Sequence, residues 1–197
     1  MYEYRKLSPE EREALLAHRK LMQRPLHAPP HFADGPRTYM LSAANYEHKP
    51  IMDPEDRRRE FEEKLLTFAT EKAQAEIFAW CVLPNHWHLL ARVELDSFGT
   101  AIGQLHNGTS TQWNREDATP GRKVWHRHAD RRIRNEAHYW ASLNYIHANP
   151  VRHECVENAT AWLASSIHVY MDRMGREEMV RLWRDYPVAD YGKGWDW

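Results

Sequence analysis

Cysteine is scarce in this chain of 197 residues: only Cys81 and Cys155 occur. Two thiols so far apart make neither a disulfide framework nor a CxxC metal or redox motif. Both are therefore expected to be reduced, and Cys81, inside an apolar run, is expected in the core. Apolar runs are also short. None approaches the roughly 18–20 residues of a membrane span, and the opening "MYEYRKLSPEEREALL" lacks the apolar centre of a secretory signal. A soluble, cytoplasmic protein with no membrane partner is expected. Net charge is missing too. Lys and Arg number 27 against 28 Asp and Glu, a formal charge of -1, and with a pI near 6.9 the chain carries no overall basic footprint for nucleic acid. There is no internal repeat and no low-complexity tract.

What remains is a chain of 42% hydrophobic residues, long enough to bury a real core as one domain with appended segments. Ser8-Pro9-Glu10-Glu11 combines an N-cap, a proline at the first helical position and a capping-box glutamate, which predicts a short helix to about residue 22. The proline-rich "RPLHAPPHFADGP" reads as a linker. "RTYMLSAANY" has strand character. "MDPEDRRREFEEKLLTFATEKAQ" predicts a helix opened by Asp53-Pro54, with Phe61, Leu65 and Phe68 on one face.

"EIFAWCVLPNHWHLLARV" then gives two strand-like runs broken at Pro84-Asn85. A second helix over "LDSFGTAIGQLHNGTSTQWNRE" is weakened by Gly99, Gly103 and Gly108. A basic strand follows around Val124 to Ile133. The next helix, "NEAHYWASLNYIHANP", is capped by Asn135 and expected to stop at Pro150. A last helix is expected in "GREEMVRLWRDY". This order of helices among few strands predicts an α+β fold, one antiparallel sheet of four to five strands with packed helices and with helical extensions at both ends. The divisions expected are 1–36 for the N-terminal helix and linker, 37–170 for the domain, and 171–197 for the C-terminal helix and aromatic tail.

Local charge does appear in "GRKVWHRHADRRIR", where Arg122, Lys123, Arg127, Arg131, Arg132 and Arg134 face a single Asp130. Arginine forks and aromatic faces such as Trp125 suit phosphates and unstacked bases; a solvated charged strand or loop is the plain alternative.

His86 and His88 flank Trp87 in "LPNHWHLL". Residues i and i+2 of a strand share a face, so both imidazoles can converge on one point while Trp87 turns away. That geometry suits a metal ion, although two polar residues on a strand face are more often structural. Tyr145 and Asn149 in "NYIHANPV" are one helical turn apart and share a face. Tyr145 can equally be a core aromatic, and Asn149 a helix cap. Tyr139 and Tyr170 are competing tyrosines. The other histidines, His106, His126, His128, His138, His147 and His153, are expected at the surface or against nucleic acid.

Three segments in this order, "LPNHWHLL", "YIHANPVRHECV" and "AWLASS", resemble the REP-associated tyrosine transposases, single-tyrosine relatives within the HUH single-strand endonuclease superfamily. The likeness spans about residues 37 to 170. It implies a ferredoxin-like, HUH-type sheet, with His86, His88 and Asn149 as metal ligands and Tyr145 as nucleophile. It further implies single-stranded or hairpin DNA of the repetitive extragenic palindrome type as partner, handled by a monomer or homodimer. Imidazoles with an amide oxygen make a mixed N/O site suited to Mg²⁺ or Mn²⁺, without excluding Zn²⁺. The activity implied is cleavage and strand transfer through a 5′-phosphotyrosine. A phosphodiesterase that activates water and a non-cleaving hairpin-binding protein are the alternatives from other classes. The tail "YPVADYGKGWDW", with Tyr186, Tyr191, Trp195 and Trp197, is too short and glycine-rich for its own core and is expected to dock near the site.

Overall fold

The computed structural model describes residues 7–21, 35–188 and 191. The linker expectation for "RPLHAPPHFADGP" and the tail residues Trp195 and Trp197 lie outside them. The chain divides into two units, 1–35 and 36–197. In the first, helix α1 (Pro9–Leu21) begins with the capping box legible in its sequence: Glu11 N donates to Ser8 Oγ at 3.2 Å, and Ser8 N donates to Glu11 Oε2 at 2.7 Å.

The second unit is an α+β fold. Its elements are β1 (Arg37–Ala44), α2 (Glu55–Thr67) extended by a π-turn at Phe68–Lys72, β2 (Glu76–Val82), β3 (His86–Val93), α3 (Leu95–Glu116), β4 (Ala129–Arg132), α4 (Glu136–Arg152) and α5 (Ile167–Asp185). The sheet has four strands in the order β2-β3-β1-β4, and every pairing is antiparallel. Helix α5 is broken at Gly175, whose φ of 78° and ψ of 166° leave the helical region.

Burial on both faces explains why β3 reads as an almost continuous apolar run. On one side Trp87 reaches α3, donating its Nε1–H to His106 Nε2 at 3.3 Å, and Trp80 of β2 donates to Glu62 of α2 at 2.6 Å. On the other, His88 meets Tyr145 of α4. Helix α3 forms without interruption despite its glycines. Phe98, Ile102, Leu105 and Trp113 are buried along it, and their transfer from water, about 1.5–3 kcal/mol each, outweighs a glycine cost of about 1 kcal/mol each.

Helix α4 starts where expected, with His138 N donating to Asn135 Oδ1 at 2.8 Å, but it runs through Pro150 to Arg152. A proline's φ is helical; inside a helix it forfeits its own donor and crowds the carbonyl four residues back, a cost the last turn of α4 accommodates. Asn149 is therefore not the cap: His153 is, and its N–H reaches the Asn149 carbonyl at 3.0 Å. Asp53 makes no cap either, since α2 begins after Pro54 without a side-chain cap bond.

Both sheet edges are treated differently. At β2, Val82 N donates to Ala164 O (2.9 Å) and Ser166 N to Trp80 O (3.0 Å), so "AWLASS" closes that edge. The basic strand is interrupted. Val124 and Trp125 meet Asn45 and Tyr46 beyond the end of β1, Arg127 and His128 fall between, and β4 then pairs with Tyr39–Ser42.

Candidate metal centre and tyrosine

Register brings the site together. His86 lies opposite Ala44 and His88 opposite Ser42 on β1, and Cys81 of β2 flanks His88. These residues share the face that receives α4. The two imidazoles sit edge to face with centroids 5.0 Å apart. His88 then meets the Tyr145 ring edge-on at 5.3 Å. Asn149, one turn further along α4, brings Oδ1 to 3.1 Å from His86 Nε2. Cys81 is a buried thiol whose pKa burial pushes well up.

The hydrogen bonds around His86 leave a specific deficit. His86 Nδ1 faces Asn85 Oδ1 at 2.6 Å, and Nε2 faces Asn149 Oδ1 at 3.1 Å. The amide orientations are set by their other halves: Asn85 Nδ2 donates to the His48 carbonyl (3.2 Å) and Asn149 Nδ2 to the Tyr145 carbonyl (3.4 Å). Burial, then the charge of His153, lowers the His86 pKa to about 3, so at neutral pH the ring carries one proton. One ring nitrogen must then face an oxygen with no proton between them. The shorter contact is the one suited to a proton, and a proton placed there would leave the Nε2 lone pair facing the Asn149 oxygen. A cation relieves that repulsion, and this donor set fits one. Burial likewise holds His88 well below the ordinary histidine range, as a neutral ligand requires. Among the described residues no three His, Cys, Asp or Glu side chains are disposed to hold a metal ion, so a metal here would draw on the Asn149 amide.

Tyr145 is 0% exposed. Tyr191 covers it, ring centroids 5.6 Å apart, and also bonds through its hydroxyl to Ser142 Oγ. Arg152 lies over the Tyr145 ring at 5.3 Å. The competing tyrosines sit elsewhere. Tyr139 packs on Phe78 at 5.6 Å, and Tyr170 donates to the Phe78 carbonyl at 3.0 Å. Burial raises the pKa of both. An open groove of about 420 Å³ lies between Lys72 and α3, lined by Asp96, Ser97 and Thr100, on the sheet face opposite the histidines.

The basic segment divides. Arg122 is half-buried in a network, donating to Asp117 at 2.7 Å and Asn114 at 3.0 Å, and Asp117 also receives Arg57 at 2.6 Å. Lys123 is exposed over the Tyr46 ring at 4.3 Å. Arg127, Arg131, Arg132 and Arg134 are exposed. Arg131 pairs with Met40, which stands on the His86 face, whereas Arg132 pairs with Tyr39 on the opposite one.

Three expectations need correction. Trp125 is not a base platform: it is buried, stacked on His106 at 4.2 Å, and donates to Thr109 at 3.0 Å. His106 and His147 are not surface residues. His106 is held between Trp87 and Trp125, and His147 Nε2 lies 2.9 Å from Ser166 Oγ. His153, which follows Tyr145 and Asn149 at a further turn on the same face, packs on His86 at 4.7 Å; its i+8 spacing was visible in the sequence.

The solved structure of a REP-associated tyrosine transposase bound to a REP hairpin matches 74% of this chain and 85% of its own, with a TM-score of 0.59 and 21% identity. The two chains share a fold. No family model matches the sequence, and no curated protein matches it. The shared architecture is α+β with a four-stranded antiparallel sheet. Among the described residues no helix is long and apolar enough to cross a membrane.

Proposed function

We propose that the protein is a metal-dependent single-stranded DNA endonuclease and strand transferase that recognises repeat-derived DNA hairpins and cleaves through a 5′-phosphotyrosine. The observation that carries this reading is the approach of His86 Nε2 to Asn149 Oδ1 at 3.1 Å, one helical turn from Tyr145 and within a fold shared with a hairpin-bound transposase. His86, His88 and Asn149 would hold Mg²⁺ or Mn²⁺, and when bound the ion supplies Lewis-acid neutralisation of charge on the scissile phosphate.

The chain's own residues do the rest. Tyr145 Oη attacks phosphorus, its proton leaves, the bond from phosphorus to the 3′-oxygen breaks, and that oxygen takes up a proton. The phosphotyrosine conserves the energy of the broken bond, so a second 3′-hydroxyl can rejoin the strand by the reverse step. Helix α4 supplies orientation, since Tyr145 and Asn149 are locked one turn apart. The exposed Lys123, Arg127, Arg131, Arg132 and Arg134 lie along the substrate backbone, and Arg122 anchors that segment to Asp117. Such a protein acts on cytoplasmic DNA as a monomer or homodimer.

Labelled single-stranded DNA from repeats flanking its own gene, incubated with Mg²⁺ or Mn²⁺ and run on denaturing gels, tests the proposal. A covalent protein–DNA adduct lost in Tyr145→Phe is expected; cleavage without an adduct indicates activated water instead. The complete burial of Tyr145 favours a second reading, a hairpin-binding protein that does not cleave, and tight hairpin binding with neither adduct nor product would establish it.

A further inference from the structure

We propose that Asn85 is a positioning residue for His86: anchored on the His48 carbonyl, its amide oxygen holds the proton on His86 Nδ1 and so turns the Nε2 lone pair toward Asn149. This rests on the metal-site reading above. Asn85 stands where the chain turns from β2 into β3, and an asparagine there would ordinarily serve its own turn. Here one polar end reaches a distant segment and the other meets the imidazole of the next residue. Nδ2 donates to His48 O, 37 positions away, at 3.2 Å, and Oδ1 accepts from His86 at 2.6 Å.

The backbone around it is tied as tightly. Asn45 N donates to Asn85 O at 2.7 Å, Met52 N to Pro84 O at 2.8 Å, and His48 N to Asn45 O at 2.9 Å. The turn that presents the His48 carbonyl is itself unusual. Glu47 and His48 adopt φ of 57° and 51° in succession, a left-handed conformation that side-chain-bearing residues seldom take. Glu47 N is held there by His126 Nε2 at 3.2 Å. Backbone strain over-determined by surrounding bonds occurs where a precise placement is required. The placement achieved is that of one carbonyl, which fixes one amide, which fixes one imidazole. The partner of a ligating histidine's second nitrogen sets its tautomer and tunes its affinity.

The test uses the full-length protein without DNA. Nitrogen-15 NMR of the histidine rings should find His86 protonated at Nδ1 in the wild type, and calorimetry with Mn²⁺ should find one site. In Asn85→Ala the tautomer preference is lost and Mn²⁺ binding weakens by about ten- to a hundredfold, while Asn85→Asp, which keeps the acceptor but loses the donor to the His48 carbonyl, retains the Nδ1 proton. An Asn85→Ala protein that is folded by circular dichroism and keeps both the Nδ1 proton and wild-type Mn²⁺ affinity overturns the inference. If Asn85→Ala does not fold, the wild type and Asn85→Asp decide it, and an Nε2-protonated His86 in either overturns it. A wild type that binds no Mn²⁺ removes the metal-site reading, and the tautomer comparison still decides the role of Asn85.

Discussion

The ring of Tyr191 meets that of Tyr145 edge-on, with centroids 5.6 Å apart and planes at 65°. His138 adds a third ring, 5.7 Å from Tyr191, and Ser142 bonds its hydroxyl. The segment after α5 thus docks on α4 through a residue that covers the proposed nucleophile.

Tyr191→Ala removes that cover. It is expected to raise the rate of adduct formation on labelled single-stranded DNA several-fold and to lower the melting temperature slightly, since one half-buried aromatic contact is worth about 0.5–1.5 kcal/mol. A rate equal to wild type would mean that Tyr145 becomes accessible by some other movement.

Tyr145→Phe deletes one oxygen and almost no surface. Adduct formation and cleavage should fall below detection while hairpin affinity stays within about twofold. Gel shift and denaturing gels on the same preparation check both halves, and wild-type cleavage would move the nucleophile elsewhere.

Alternation along β4 separates its arginines. Arg131 shares the face of His86, and its charge acts on both His138 and Tyr191. Arg131→Ala should reduce the slope of log affinity against log salt by about 0.7 on single strands, one phosphate contact. Arg122→Ala should leave the slope unchanged and cost about 1 kcal/mol of stability by removing one of the two guanidinium groups on Asp117, whose pKa Arg57 and Arg122 hold down near 2. Salt titrations of the two variants, beside urea unfolding, distinguish a contact from an anchor.

Buried neutral histidines make stability fall with acid. Burial lowers His147 and His106 to about 3, while in the unfolded chain each titrates near 6.5. The folded value is the depressed one, so between about pH 6.5 and 3 the unfolded state binds the extra proton, and stability declines as pH falls through that window. Each group contributes about 1.4 kcal/mol per pH unit well inside it. His147→Gln, which keeps a donor for Ser166, should flatten the curve by one such group in urea titrations at pH 7 and 5. An unaltered pH dependence would mean that His147 is protonated in the native state.

Much of the local architecture was legible because its cause is local. Ser8 and Glu11 are three residues apart, and a capping box needs nothing else. The i, i+2 spacing of His86 and His88 and the i, i+4 spacing of Tyr145 and Asn149 set which side chains share a face, and secondary structure alone enforces those periods. The strand–helix order followed from the same alternation of periods.

Which faces meet was decided by tertiary structure. No local pattern tells that β1 slots between β3 and β4 in a register that sets Ser42 beside His88, or that α4 rather than α3 covers the histidines. Trp125 and His106, polar-edged residues in charged or glycine-rich surroundings, became core because Trp125 packs against Phe61 and Trp113 and His106 is held between Trp125 and Trp87. His48 and His153 reach the surroundings of His86 from 38 and 67 residues away, distances over which sequence carries no geometric constraint, whereas Asn85 is its neighbour in the chain and only its anchor on His48 is long-range. A chain's own periodicity fixes the direction of a side chain; only long-range packing fixes what it finds there.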